Sequence, residues 1–137
     1  MSCKSLINVA TTTSSSVVAG ATLPLTTITR RRGAELNSAG NSIVVTDCGS
    51  NYYLVLVTAT FTAPVAGIVT LNLQQNGANV AGGTASTTIT TATTEVRSLS
   101  FAVPVRTFNN QGIDTLTVVN SGVGATFSNI DVTVIKL

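Results

Sequence analysis

Along most of this chain, apolar and hydroxyl-bearing side chains alternate at every second position, with Val and Thr carrying the pattern. In an extended strand successive side chains point to opposite faces, so the alternation wets one face and buries the other. β-Branched residues are stiff at χ1 and suit a pleated surface better than a helix. No stretch shows a helical period of apolar positions, and no long run combines Leu, Glu, Lys and Ala. The pattern predicts an all-β chain.

Turn signals divide it into about eight to ten short antiparallel strands, a spacing typical of a β-sandwich or jelly roll. Residues 6–13 read as a strand. Residues 17–29 hold another, with Pro24 marking an edge or a break. Arg30-Arg31-Arg32-Gly33 reads as a charged loop, residues 37–41 as a turn and residues 43–45 as the start of a short strand. Residues 52–62 give the strongest strand, apolar on both faces in its first half: Tyr53, Val55, Val57 and Ala59 against Leu54, Leu56, Thr58 and Thr60. Residues 68–75 follow, and Asn76-Gly77 is the preferred pair for a type I′ hairpin, because both central residues need positive φ. Residues 78–81 are then a short return strand, 82–86 a loop, 87–94 a Thr-rich strand and 96–105 a further one. Turns at 109–112 and 120–122 separate the last strands. The alternation places Leu71, Leu73, Phe101, Val103, Leu116, Val118, Ile130 and Val132 in the core or in a subunit interface.

With 137 residues the chain fits one domain, divided into residues 1–24, an N-terminal arm or first strand, and residues 25–137, the sandwich itself. Charged residues are only 9% of the chain, against about a quarter in ordinary globular domains. Hydrophobic residues are 44%, so the chain is not of the disordered type. So few charges leave two readings of the surface: part of it is buried against other subunits, or a monomer is coated in Thr, Ser and Asn. We expect the first. The net charge of +2 implies no strong attraction to nucleic acid or membrane. The apolar runs are too short to span a bilayer or to serve as a secretory signal, so the chain is expected to be made and kept in a cytoplasm, or released from one by lysis. Cys3 and Cys48 match no zinc spacing, and two free thiols are expected over a disulfide.

The chain has no histidine, which removes Ser-His-Asp, Cys-His and His-metal arrangements. Glu35, Asp47, Glu95, Asp114 and Asp131 are scattered singly, and lone acids in β-turns usually bond to local backbone. Gly82-Gly83 is followed by no Lys-Ser/Thr and forms no phosphate loop. No catalytic residue, cofactor site or metal site is assigned, and the chain reads as a non-enzyme. The one charge cluster, Arg30, Arg31 and Arg32, is either a docking contact to an acidic partner surface or a solvated loop. Nucleic acid is disfavoured, because its binders pair larger basic surfaces with stacking aromatics. Tyr52 and Tyr53 are the only rings available for sugar stacking other than phenylalanine, and one of them is expected to be buried.

Residues 41–62 (NSIVVTDCGSNYYLVLVTATFT), 67–83 (GIVTLNLQQNGANVAGG) and 112–137 (GIDTLTVVNSGVGATFSNIDVTVIKL) resemble the C1q/TNF-like jelly-roll domains. The resemblance is closest to the bacterial and phage type, found as heads of spore-surface collagen-like proteins and as phage components. It rests on strand spacing and on the Leu71-x-Leu73-x-x-Asn76-Gly77 hairpin, and it covers the chain from about residue 37 onward. No collagen-like stalk is present. The resemblance implies a homotrimer packed around a three-fold axis. A head with a short N-terminal arm resembles a bacteriophage virion component, namely a capsid decoration, head-fibre or tail-associated protein, with other virion proteins as partners. A receptor- or glycan-binding head and a bacterial spore or cell-surface structural protein are the alternatives. The arm, residues 1–13, and Arg30, Arg31 and Arg32 are the expected attachment contacts, unless the arm is the first strand and the arginines are solvated.

Overall fold

The computed structural model describes residues 4–47, 50–107 and 113–137. Among them are eleven strands and no helix. The strands are β1 (Leu6–Thr11), β2 (Ser15–Val17), β3 (Thr27–Arg32), β4 (Leu36–Ala39), β5 (Ser42–Val45) and β6 (Tyr52–Thr62). They continue with β7 (Gly67–Gln75), β8 (Ala78–Ile89), β9 (Arg97–Arg106), β10 (Asp114–Asn120) and β11 (Ala125–Lys136). One sheet runs β3-β1-β11-β6-β9, with β2 also paired to β11, and the other runs β4-β5-β10-β7-β8. All pairings are antiparallel. The result is an all-β, jelly-roll sandwich. Cys3, Cys48 and the 109–112 turn lie outside the described residues.

The inner faces follow the alternation read from the sequence. Tyr53, Val55, Val57, Ala59 and Phe61 of β6 are all buried, as are Ile130, Val132 and Val134 of β11 and Leu71 and Leu73 of β7. The Phe61 and Phe127 rings meet at 5.2 Å between centroids in a tilted arrangement, a favoured geometry for aromatic pairs. Removing a fully buried phenylalanine of this kind costs about 3–5 kcal/mol. Phe101 differs from its expected place. It lies on the inner face of β9 but is only partly buried, packed against the rim of the core, because β9 is the end strand of its sheet.

Several local expectations change. Arg30-Arg31-Arg32 is not a loop but the end of β3, and all six residues of that strand are exposed. An edge strand with both faces wet needs no alternation, so TITRRR carries no strand signature. Residues 37–39 belong to β4, and the turn is the pair Gly40-Asn41, closed by the Ala39↔Ser42 pairing. β8 runs unbroken through the expected 82–86 loop. Its irregularity is a bulge, where the partners step from Asn72↔Thr84 to Gln74↔Asn79 with extra residues on the β8 side. Gly82 takes a φ of 84° there. The Thr-rich strand ends at Ile89 rather than at residue 94.

At the β7–β8 hairpin, Gln75 pairs with Ala78 across Asn76 (φ 54°) and Gly77 (φ 85°), the two positive φ values of a type I′ turn. The Asn76 side chain fastens this turn to β10: its Nδ2 donates to Asp114 Oδ1 at 2.8 Å and its Oδ1 accepts from Thr115 N–H at 2.8 Å. At the opposite end, Glu95 holds the β8–β9 connection. Its Oε1 accepts from Thr90 N–H (3.1 Å), Thr90 Oγ1 (2.8 Å) and Thr91 N–H (3.0 Å), and Arg97 Nε sits 2.6 Å from Oε2. The Arg97 bond, followed by the Thr90 and Thr91 donors, draws the half-buried Glu95 carboxyl down to about 2.

Two outcomes are expected. A Cβ at Gly77 meets nothing within 4 Å, so Gly77→Val tests the backbone alone and should cost about 1–2 kcal/mol by urea denaturation; an unchanged midpoint would contradict the turn. Because the folded pKa of Glu95 is depressed, its stabilisation is present above the ordinary value of 4.5 and is lost as pH falls toward about 2. Over that window the melting temperature of Glu95→Gln should fall less steeply than that of the wild type, and parallel profiles would show that the loop gains nothing from the carboxylate.

Candidate interaction site

The outer face of the first sheet is built by the strand register. Directly paired residues share a face, so one row across the sheet reads Arg32, Leu6, Ile135, Leu54 and Pro104. The next reads Arg30, Asn8, Thr133, Leu56 and Ala102. Below the first row, Tyr52 is 54% exposed and pairs with Arg106, and Leu137, 56% exposed, donates its N–H to Tyr52 O. Above the second row the face turns polar, with Asp131, Thr58 and Ser100 in register and Thr60 and Ser98 bonded at 3.0 Å. Half of this face is therefore apolar and half is hydroxyl-lined. The cause is visible in β6, whose outward positions run Tyr52, Leu54, Leu56, Thr58, Thr60, Thr62.

The arginines flank the apolar half. A register shift in the β1–β3 ladder between Asn8 and Val9 leaves Thr29 as an extra residue, and this sets Arg30 and Arg32 on the outward face beside Asn8 and Leu6. Arg31 turns the other way and donates from Nε to Leu36 O at 2.6 Å across the sandwich edge. The structure thus separates the three expected site residues into an outward pair and one structural clamp. It also adds Lys4, Leu6 and Ile135, which share a groove of about 380 Å³ with the arginines. Leu6 and Ile135 are outward-facing apolar residues that only the strand register brings together. Residues 6–11 of the expected arm form β1, flanked by β3 and β11.

Two of the five acids, Glu35 and Asp47, come together at one end of the sandwich. Asp47 Oδ2 accepts from Tyr53 Oη (2.7 Å) and Asn51 Nδ2 (2.8 Å), with Lys136 Nζ at 3.1 Å. Glu35 accepts from Ser5 Oγ. That bond, ahead of the others, lowers the Glu35 carboxyl below its ordinary range. Burial, then Asp47, drives the Tyr53 phenol well above its own. These two acids tie the ends of β1, β4, β6 and β11 at one end of the sandwich, whereas Glu95 accepts from the local backbone of Thr90 and Thr91, as lone acids in turns do. Tyr53 is the buried member of the Tyr52–Tyr53 pair. Among the described residues, no three His, Cys, Asp or Glu side chains are placed to hold a metal ion.

No protein-family model matches the chain, and no curated protein matches it by sequence. Solved structures do. Murine APRIL at pH 5.0 superposes with a TM-score of 0.71 at 16% identity, covering 98% of this chain and 100% of that one. The PRD1 vertex protein P5 gives 0.65 at 12% identity, covering 100% and 99%. The globular domain of zebrafish complement 1qA protein gives 0.62 at 9% identity, covering 96% and 95%. At these identities the likeness is one of fold, and it extends over nearly the whole of each chain: this protein has the C1q/TNF-like jelly-roll fold.

Proposed function

We propose that this chain is a non-enzymatic structural protein of a bacteriophage virion, acting as a homotrimeric decoration, head-fibre or tail-associated head. One observation carries the reading: the outward apolar half-face of the first sheet, where the half-buried Leu54, Leu56, Leu6 and Ile135 lie beside the exposed Tyr52 and Leu137. Monomeric proteins rarely leave a large contiguous apolar patch in water. A chain with 9% charged residues has few means of solvating one. Packing each copy's face against its neighbour in a closed ring removes it, and three-fold closure is a common solution for such head-to-tail contacts. The phage branch of the reading is supported by the full-length likeness to the PRD1 vertex protein P5. Attachment to the particle falls to Arg30 and Arg32, which sit at the margin of that face and remain outward.

Purified phage particles, analysed by mass spectrometry and by immunogold electron microscopy with an antibody to this chain, test the proposal. The chain should co-purify with particles and label a fixed position on them. Its absence from purified particles, or its presence on the surface of uninfected cells, would contradict a virion role.

A further inference from the structure

We propose that the β3 margin binds an acidic, extended segment of another protein, which adds beside β3 as a further strand. This rests on the attachment reading above and names the chemistry of its partner. β3 is the terminal strand of its sheet, hydrogen-bonded on one side to β1, so its other edge presents unpaired backbone donors and acceptors of the kind that accept an added strand. Beside it lies the groove of about 380 Å³, with Leu6 and Ile135 as an apolar floor and Lys4, Arg30 and Arg32 as a basic rim.

The rim has no counter-charge. Among the described residues, Lys4, Arg30 and Arg32 form no ion pair, the two pairs found being Arg97–Glu95 and Lys136–Asp47. A second copy of the chain has few free carboxylates to offer. Glu35, Asp47 and Glu95 are held by their own hydrogen bonds, and Asp114 is 2% exposed and accepts from Gln75 and Asn76. Asp131 alone faces outward from the first sheet, and it accepts from Asn8 Nδ2 at 2.8 Å. Pairing of two β3 edges would bring two arginine-rich strands together with no acid on either, which like-charge repulsion disfavours. Unengaged carboxylates of a different protein match the rim better than the acids of a second copy.

Spacing narrows the partner further. Arg30 and Arg32 share a face two residues apart, roughly 7 Å along the strand. An added strand with acids at alternate positions places one carboxylate opposite each guanidinium, where bidentate bonding is available.

The test uses the full chain and three fluorescent probes: a peptide alternating glutamate and valine, the same peptide with lysine for glutamate, and an oligothymidylate. Fluorescence anisotropy at low salt should show binding of the glutamate peptide only. Arg30→Ser combined with Arg32→Ser should weaken it by about tenfold or more, the scale of losing a charge-assisted hydrogen bond. Arg30→Lys with Arg32→Lys, which keeps charge but not the fork, should fall between. On binding, amide exchange along β3 should slow. Equal binding of the lysine peptide, tighter binding of the oligothymidylate, wild-type affinity in the serine variant or unchanged β3 exchange would each overturn the proposal. Native mass measured on the same samples separates the two readings. A trimer that fails to bind the glutamate peptide overturns the groove alone, whereas a monomer that binds it overturns the trimer alone.

Discussion

The pairing of β6 with β11 at the middle of the first sheet holds the rest of the molecule in place. Its ladder runs from Tyr53↔Lys136 to Thr62↔Thr126, with one shift between Phe127 and Asn129. The inward side of these two strands supplies much of the core that the second sheet covers. The outward side supplies Leu54, Leu56 and Ile135. A one-residue slip would exchange the two faces along the whole ladder, so the register that builds the core also fixes which apolar side chains are left outside. Core and outer patch are thus two consequences of one set of hydrogen bonds.

Polar chemistry closes the sandwich differently at its two ends. Where β1 begins and β11 finishes, Ser5–Glu35, Tyr53–Asp47 and Lys136–Asp47 contacts join the sheets, and Lys136 N–H donates to Ser5 O. At the far end the connections are held by neutral groups and by the local Glu95–Arg97 pair. The buried Asn120 donates to Val123 O and accepts from Gly122 N–H. Val18, Val65, Ile68 and Val96 are exposed in or beside these connections. Charge is therefore concentrated near the chain ends and at the β3 margin, where the attachment reading places the contacts with a larger assembly.

Much of this was legible in the sequence, because a period of two states directly which residues share a face. Leu71, Leu73, Leu116, Val118, Ile130 and Val132 are buried as expected, and Asn76-Gly77 forms the turn that its residue types demand. Elements without alternation escaped. β3 is wet on both faces and TITRRR gives no period, so its arginines read as a loop. β4 is four residues long, and its Asn37 and Ser38 read as turn residues. The β8 bulge looked like a chain break because Gly82-Gly83 interrupts the apolar pattern, although a Cβ at Gly83 would crowd Leu73 Cβ at 3.0 Å. The groove was the least legible feature, because Lys4, Arg30, Arg32 and Ile135 are brought together only by strand order, which no local pattern encodes.

The central claim is that the apolar outer half of the first sheet is covered by other copies of the chain. Native mass spectrometry of the wild type beside Leu54→Glu/Leu56→Arg addresses it most directly, since both positions face outward and neither forms part of the core. The account predicts a wild-type species at three times the 14.0 kDa of the chain and a folded monomer for the variant. A wild type that stays monomeric at micromolar concentration, or a variant that keeps the trimer mass, would contradict it.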